Sequence, residues 1–368
     1  MEFSRLLPIL ETMERNTYRI IDVNFNRARE AARMIEEFCR FSLNSKPLSS
    51  RAKSVRHQLS SAIAKLDTSS LLACRDSQTD VGRGLVIDNQ LKRGGITDCF
   101  TAACKRLTEA LRVLAETTQI IDPAVAAVIE NLRFEAYTLE KDASLTAETR
   151  RKYKDVRLYV LVTVNPGDSV EKVSKLVSEC IKGGADCIQI RAKGLEDSET
   201  VAISKTAVDI CSDAGVLSII NDRVDIAVIS GADGVHLGLG DISVHQARSL
   251  QLSPLVIGAS THSPAQLKAA IKAGADYVGI GPAFTTATKP HEKTAGLGYI
   301  SKAVEMLENT GISHAAIGGI SLENIDSVLK AGAKTAAICS AITHSESPAD
   351  MCGSIRKRME AYPKPSSR

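Results

Sequence analysis

A phrase repeated four times in the second half of the chain constrains its fold most. Glycine, alanine and then an acid or lysine lead into a short apolar run: GADCIQIR from Gly184, GADGVHLG from Gly231, GADYVGIG from Gly274 and GAKTAAIC from Gly332. Glycine accepts the left-handed backbone that ends a helix. A short unbroken apolar run suits a strand buried on both faces of a parallel sheet. Four similar runs lie between the repeats: VRLYVLVTV (156–164), VLSIIN (216–221), LVIGAS (255–260) and SHAAIG (313–318). Helical patterns such as VEKVSKLVSECIK, AQLKAAIKA and LENIDSVLKA separate them. Eight strands alternating with helices over about 200 residues predict an α/β fold, a (β/α)8 TIM barrel, with a doubly wound sheet as the alternative.

The first half has a different period. Apolar residues recur at helical spacing in RIIDVNFNRAREAARMIEEFCRF, SVRHQLSSAIAKL, FTAACKRLTEALRVLAETTQII and PAVAAVIENLRFEAYTLEK. A polar stretch with two glycines, CRDSQTDVGRGLVIDN, interrupts them, and the apolar-poor DASLTAETRRKYKD closes the region. The expected layout is an all-α N-terminal domain over 1–150 and a barrel over 155–368. A chain of 368 residues exceeds the roughly 250–300 at which single cores stop growing.

The helical half contains an echo. Arg27, Glu30, Ala31, Arg33, Ile35 and Glu37 recur at the same spacing as Arg106, Glu109, Ala110, Arg112, Leu114 and Glu116. At 100° per residue the charged members fall at roughly 0°, 300°, 240° and 280°, on one face. One copy reads as a solvated stripe of i,i+3 ion pairs. Two copies raise the alternative of a polar site shared between two helices.

Bulk composition excludes some classes. With 46 basic and 43 acidic residues, net charge +3, nothing draws the whole chain to nucleic acid or a membrane. Nine cysteines are scattered with no C-x-x-C pair, so reduced thiols in a cytoplasmic protein are expected, not a disulfide framework or zinc site. No apolar run approaches the ~18 residues of a membrane span, and MEFSRLLPILETMER lacks the plan of a signal peptide. Small molecules are the expected partners, and a homo-oligomer is left open.

Barrel chemistry sits at the C-terminal ends of strands. There the sequence puts Gln189, Arg191 and Lys193, whose alternation points them to one side. Basic groups inside a barrel need anions; a diphosphate suits them, and an internal salt bridge is the other reading. Asp222 and Asp241 end adjacent strands and could share one Mg²⁺, although each alone reads as a turn or cap residue. Asn221 offers an amide for a neutral ring. Ser260 and His262 follow strand five, and His236 lies in strand four. Gly318-Gly319 and Ser340 match the phosphate site of this fold. Thr286, Thr288 and Lys289 form a hydroxyl-rich basic loop. No nucleophile–base pair or acid dyad stands out, so departure of a diphosphate stabilised by charge fits best.

These motifs resemble the thiamine-phosphate synthase (thiamine-phosphate pyrophosphorylase) family. Over roughly 156–360 the resemblance rests on QIRAK (189–193), IND (220–222), DGVHLGLGD (233–241), GASTH (258–262), GPAFTTATK (281–289) and IGGI (317–320). It implies that Gln189, Ile190, Arg191, Ala192, Lys193 and Asn221 hold hydroxymethylpyrimidine diphosphate, with Ser260 near the reacting carbon and Lys289 facing the diphosphate. Arg191, Lys193, Ser260 and Lys289 would be catalytic, and Asp222 and Asp241 would bind Mg²⁺. Thr286, Ala287, Thr288, Gly319, Cys339 and Ser340 would receive the thiazole phosphate. Diphosphate would leave first, and the thiazole nitrogen would capture a pyrimidine-stabilised cation.

The helical half resembles the hydroxymethylpyrimidine-phosphate kinase type of domain fused to some of these synthases. Its motifs are DVNFNRAREAAR, RDSQTDVG and CKRLTEALRVLAE. By that resemblance Asp22, Asn24, Asn26, Arg27, Arg29, Glu30, Arg33, Arg75, Asp76, Asp80, Arg106, Glu109 and Arg112 are site residues of a second, kinase activity. No Walker-type glycine loop occurs in 1–150, so a dimerisation or packing module is the rival. For the barrel the rivals are a thiazole tautomerase-like enzyme using His262 and a non-catalytic relative.

Overall fold

Two grammars in the sequence become two compact units in the computed structural model, dividing between Leu145 and Thr146. The structure describes residues 3–78, 80–82, 85, 92–250, 255–285 and 294–362. The helical unit begins with α1 (Phe3–Glu37), which ends in a π-helical turn over Phe38–Ser42. It continues through α2 (Lys46–Ile63), α3 (Thr68–Ala73), α4 (Ile96–Thr118) and α5 (Pro123–Asp155), which runs past the division. Ala28, Ala31, Ala32 and Ile35 of α1 and Leu107, Ala110, Leu111 and Leu114 of α4 occupy equivalent positions of the echo. All eight are buried, and α1 packs on α4. Small alanines let two helices approach closely, and Phe38 stacks on Phe100 at 4.3 Å between centroids.

In the second unit all eight expected strands form. They are β1 (Leu158–Val164), β2 (Cys187–Ala192), β3 (Leu217–Asn221), β4 (Gly234–Leu237), β5 (Val256–Thr261), β6 (Tyr277–Ile280), β7 (Ser313–Ile317) and β8 (Ala336–Ile338). Each pairs parallel with its successor, and β8 returns to β1, closing the barrel. Among the described residues one helix follows each of the first seven strands: α6 (Val170–Lys182), α7 (Asp197–Asp213), α8 (Val224–Ser230), α9 (Val244–Ser249), α10 (Pro264–Ala273), α11 (Gly296–Leu307) and α12 (Ile325–Lys330). Two follow β8, α13 (Ser340–Thr343) and α14 (Pro348–Ala361).

The repeated phrase has a physical meaning at each of its first three positions. Gly184, Gly231, Gly274 and Gly332 all take positive φ, +96°, +73°, +82° and +95°, where a helix hands over to a strand. The acid then turns back to the preceding strand. Asp186 accepts the Leu158 N–H at 2.9 Å, Asp233 the Ser218 N–H at 2.9 Å, and Asp276 the Ile257 N–H at 2.7 Å. Buried backbone donors at strand starts thus find acceptors. In the fourth copy the roles invert: the Lys334 N–H donates to Nε2 of His314 at 3.1 Å. Burial pushes the His314 pKa down to about 4, leaving a neutral imidazole able to accept that bond.

The end of α5 belongs with the barrel. Tyr153, 2% exposed, stacks on Tyr277 at 4.1 Å between centroids and meets Tyr159 edge-on at 6.3 Å. Arg150 pairs with Asp276 at 2.5 Å, beside Arg248 on the same carboxylate. The barrel therefore starts ahead of the expected 155, because its floor needs an aromatic lid from the preceding helix. A fragment of residues 146–368 should unfold cooperatively, whereas one starting at Val156 should be weaker by about 3–5 kcal/mol, the usual cost of deleting a buried aromatic. Equal denaturant midpoints for the two fragments would exclude Tyr153 from the core.

Candidate active site

Strand alternation sorts the residues of β2. Gln189 is 3% exposed inside the barrel, and Arg191 and Lys193 follow on the same side toward the open end. Ile190 and Ala192 face the layer between strands and helices, where Ile190 is buried, so only their backbone can reach a ligand. The internal-salt-bridge reading divides between the two cations. Lys193 lies 3.2 Å from Asp222, whereas among the described residues no carboxylate pairs with Arg191.

β3 ends at Asn221, and Asp222 takes φ +65°, a backbone region that non-glycine residues rarely occupy. Its N–H is held by the His236 carbonyl at 2.8 Å, which fixes the turn. Asp241 closes its own loop, accepting the Gly238 N–H at 2.7 Å, which is the turn role the sequence also allowed it. The Asp222 carboxyl is pushed above the usual carboxylate range, first by burial and then by the adjoining Asp241; Lys193 opposes the shift. Two adjoining carboxylates answered by a single lysine suit a divalent cation. Asp222 and Asp241 would hold Mg²⁺, and the chemistry of this donor set fits it.

Ser260, at the end of β5, bonds Nε2 of His236 at 2.9 Å. The other ring nitrogen, Nδ1, meets the Tyr277 hydroxyl at 3.1 Å. Tyr277 lies 3.0 Å from the Tyr159 hydroxyl, which accepts from Gln189 Nε2 at 2.8 Å. A polar chain, buried at its Gln189 end and half-buried at its Ser260 end, thus joins two expected substrate contacts. Sequence reasoning passed over Tyr159 and Tyr277 because each sits inside an apolar strand run.

On the phosphate side, Gly318 and Gly319 take φ +101° and +64°. A Cβ on Gly318 would strike Pro282 at 2.5 Å, and one on Gly319 would strike the Thr285 carbonyl at 2.5 Å. Both must be glycine for the loop after β6 to lie against the end of β7. Asn324 fixes the Gly319 carbonyl at 2.8 Å. Ser340 is exposed at the start of α13, and half-buried Cys339 lies 3.5 Å from the Thr163 hydroxyl. Thr286, Ala287, Thr288 and Lys289 lie outside the described residues. His262 binds the Gly281 carbonyl through Nδ1 at 2.6 Å and the Gln266 side chain through its N–H at 2.7 Å, so it buttresses the loop after β6.

In the helical unit the expected polar site between echo helices is corrected. Arg27, Glu30, Arg106 and Glu109 are exposed. Arg33 and Arg112 are 51% and 57% exposed. Arg33 pairs with Glu36 and Glu37, and Arg112 pairs with Glu116 and Glu130. The echo records the apolar face that packs, and its charges are the solvated backs of those helices. A different pair of motifs meets. Buried Asp22 is gripped by Arg75 through two bonds of 2.7 and 2.6 Å, Asn26 donates to the Asp22 carbonyl at 2.9 Å, and Arg19 reaches the Asp76 carbonyl at 3.4 Å. Asp80 accepts the Gly82 N–H at 2.8 Å, while Asn24 folds back on the Ile20 carbonyl at 2.9 Å.

Comparison with known proteins covers both units. Residues 158–342 match the family model of thiamine monophosphate synthase, and residues 19–142 match that of the ThiD2 family. A thiamine-phosphate synthase of Nostoc punctiforme is 36% identical over 92% of this chain and 93% of its own length. One from Synechocystis is 37% identical over 90% and 92%. Among solved structures, thiamine phosphate pyrophosphorylase from Pyrococcus furiosus aligns with a TM-score of 0.50 and 34% identity, covering 56% of this chain and 97% of that one.

The Asp222 shift has a measurable sign. A carboxyl raised in the fold is favourable while protonated, and that contribution is lost as pH rises through the raised value. Metal-free Asp222→Asn should therefore melt above the wild type at pH 7. The gain should shrink as pH falls below the raised pKa toward the ordinary 3.8. A lower melting point for the variant at pH 7 in chelator would show that Lys193 already compensates Asp222.

Proposed function

The chain belongs to the thiamine-phosphate synthase family, and from that membership we propose how these strand ends join hydroxymethylpyrimidine diphosphate to a thiazole phosphate. One observation carries the reading: Arg191 has no carboxylate partner among the described residues while Asp222 and Asp241 crowd each other. Such a site is electrically satisfied when a polyanion and a cation occupy it together. Gln189, Asn221 and Ser260 orient the pyrimidine, and Arg191 and Lys193 grip its diphosphate.

As the carbon–oxygen bond breaks, its electron pair leaves with the diphosphate, and these two cations meet the growing charge. Mg²⁺ on Asp222 and Asp241, when bound, supplies further neutralisation of the diphosphate. The thiazole nitrogen then forms the new carbon–nitrogen bond with its own lone pair. That step moves no proton and so asks nothing of a general base. Gly319 and Ser340, at the ends of β7 and β8, offer backbone N–H groups to the thiazole phosphate. The tautomerase rival needs His262 as an acid or base, yet its Nδ1 is engaged by the Gly281 carbonyl.

For the helical unit we propose phosphorylation of hydroxymethylpyrimidine phosphate, making the chain bifunctional. The support is that two separate motifs converge on the Asp22–Arg75 pair. Nine free cysteines favour a reducing, cytoplasmic setting. Among the described residues no helix is long and apolar enough to cross a membrane.

Arg191→Ala should lower synthase kcat by about 10²–10³, the typical cost of losing one preorganised charge contact, and excess chelator should abolish turnover. A loss under threefold, or full activity in chelator, would refute these roles. Arg75→Ala should suppress kinase turnover while Arg33→Ala and Arg112→Ala leave it within about twofold, because exposed ion pairs contribute little. Equal effects of all three, or no nucleotide consumption by the wild type, would leave the helical unit a packing module.

A further inference from the structure

The polar chain between Gln189 and Ser260 has a direction. An amide nitrogen can only donate, so Gln189 gives a hydrogen to the Tyr159 oxygen at 2.8 Å. Tyr159 has one hydrogen, and the Tyr277 oxygen, 3.0 Å away, is a better acceptor than the neighbouring Cys187 thiol. Tyr277 in turn has one hydrogen to give, and His236 Nδ1 lies at 3.1 Å. A neutral imidazole that accepts at Nδ1 carries its proton on Nε2, which faces Ser260 Oγ at 2.9 Å. Burial holds both phenols far above their usual pKa, so each keeps its single hydrogen.

The barrel makes room for this column. A Cβ on Gly258 would fall inside the Tyr277 ring, 2.5 Å from its Cε1 and hydroxyl oxygen. A Cβ on Gly279 would come within 3.2 Å of His236 Cε1. Strands β5 and β6 give up side chains at the two places where the column needs space. From below, Tyr153 stacks on Tyr277 and fixes the plane of its ring. Glycine is poorly suited to strand interiors, so its use here points to the rings it accommodates.

We propose that Tyr159, Tyr277 and His236 are positioning residues that polarise the barrel interior in one direction, holding His236 as its Nε2–H tautomer. Ser260 then accepts from the imidazole and keeps its own hydroxyl hydrogen for the substrate. The site would accordingly recognise a hydrogen-bond acceptor beside the reacting carbon, a ring nitrogen or the bridging oxygen of the diphosphate ester. At the other end of the chain the Gln189 carbonyl oxygen is left to accept from a donor such as an exocyclic amine. This assignment rests on the synthase reading for the identity of the substrate, but the tautomer itself does not.

The experiment has a spectroscopic arm and a kinetic arm, both on the full chain. With ¹⁵N-labelled histidine, long-range ¹H–¹⁵N spectra read the tautomer of His236, assigned by its loss in His236→Gln. The expected result is a protonated Nε2 and an unprotonated Nδ1 in the wild type, with the two forms mixed in Tyr277→Phe. The opposite orientation of the Gln189 amide would reverse every bond and put the proton on Nδ1; that spectrum would overturn the proposal.

In kinetics, Tyr277→Phe keeps the ring and should lower kcat/KM for the pyrimidine diphosphate roughly tenfold, as expected for a broken buried bond. KM for the thiazole phosphate should move less than twofold. His236→Gln, whose side-chain N–H can still reach Ser260, should retain several times the turnover of His236→Leu; equal turnover would reduce His236 to a space-filler. A wild type without synthase activity would overturn the functional reading alone, since the spectrum still decides the direction of the chain.

Discussion

The carboxylates that tie the strand starts together set the geometry of everything above them. Asp186, Asp233 and Asp276 each take a backbone N–H from the strand before their own. Asp186 and Asp276 are themselves anchored by arginines, Arg356 on the first and Arg150 and Arg248 on the second. Parallel strands buried on both faces have little else to fix their relative register, and a slip of one residue turns every side chain to the other face. In β2 such a slip would send Gln189, Arg191 and Lys193 into the helix layer and bring Ile190 and Ala192 inside. The clamp at the floor therefore decides which chemistry appears at the mouth.

At the mouth the fold tolerates locally unfavourable features. Asp222 adopts a left-handed backbone, its carboxyl is partly desolvated, and a second carboxylate adjoins it. Each of these raises the energy of the protein, the first as backbone strain and the other two as desolvated, crowded charge. Strain and crowded like charge gather where function needs them and are rare elsewhere. Among the described residues the other non-glycine positions with positive φ are Asn44 and Asn309, the residue type that best tolerates it.

The strands were legible because the repeat carries two independent signals, a helix-ending glycine and an unbroken apolar run. The repeated acid was legible as a pattern but not as a clamp, since its partner is a backbone N–H that no sequence motif displays. Gln189, Arg191, Lys193, Asp222 and Asp241 were legible because polar residues at strand ends stand out against buried neighbours. Tyr159 and Tyr277 did not, because a tyrosine inside an apolar run looks like core until its hydroxyl finds a partner. The end of α5 reads in the sequence as the close of the helical region for a similar reason. DASLTAETRRKYKD has few apolar residues, yet one of them, Tyr153, closes the barrel floor.

The echo in the helical unit shows where periodicity misleads. Repeated spacing raises the alternative of a shared polar site for the charged face, but the buried half of the same pattern accounts for it. Two helices that pack through matched alanines and leucines must share a spacing, and their outward faces inherit it. Arg33 and Arg112 answer their charge with glutamates on the same surface. Arg191 has no carboxylate partner among the described residues, and Asp22 is buried with Arg75 reaching it from a distant segment. What separates a site from a solvated stripe is thus how charge is balanced: locally and in water for the stripe, or by distant and absent partners for the site. That criterion is the basis on which the mouth of the barrel is proposed as a site, and within the helical unit it moves attention from the echo to the meeting point of Asp22 and Arg75.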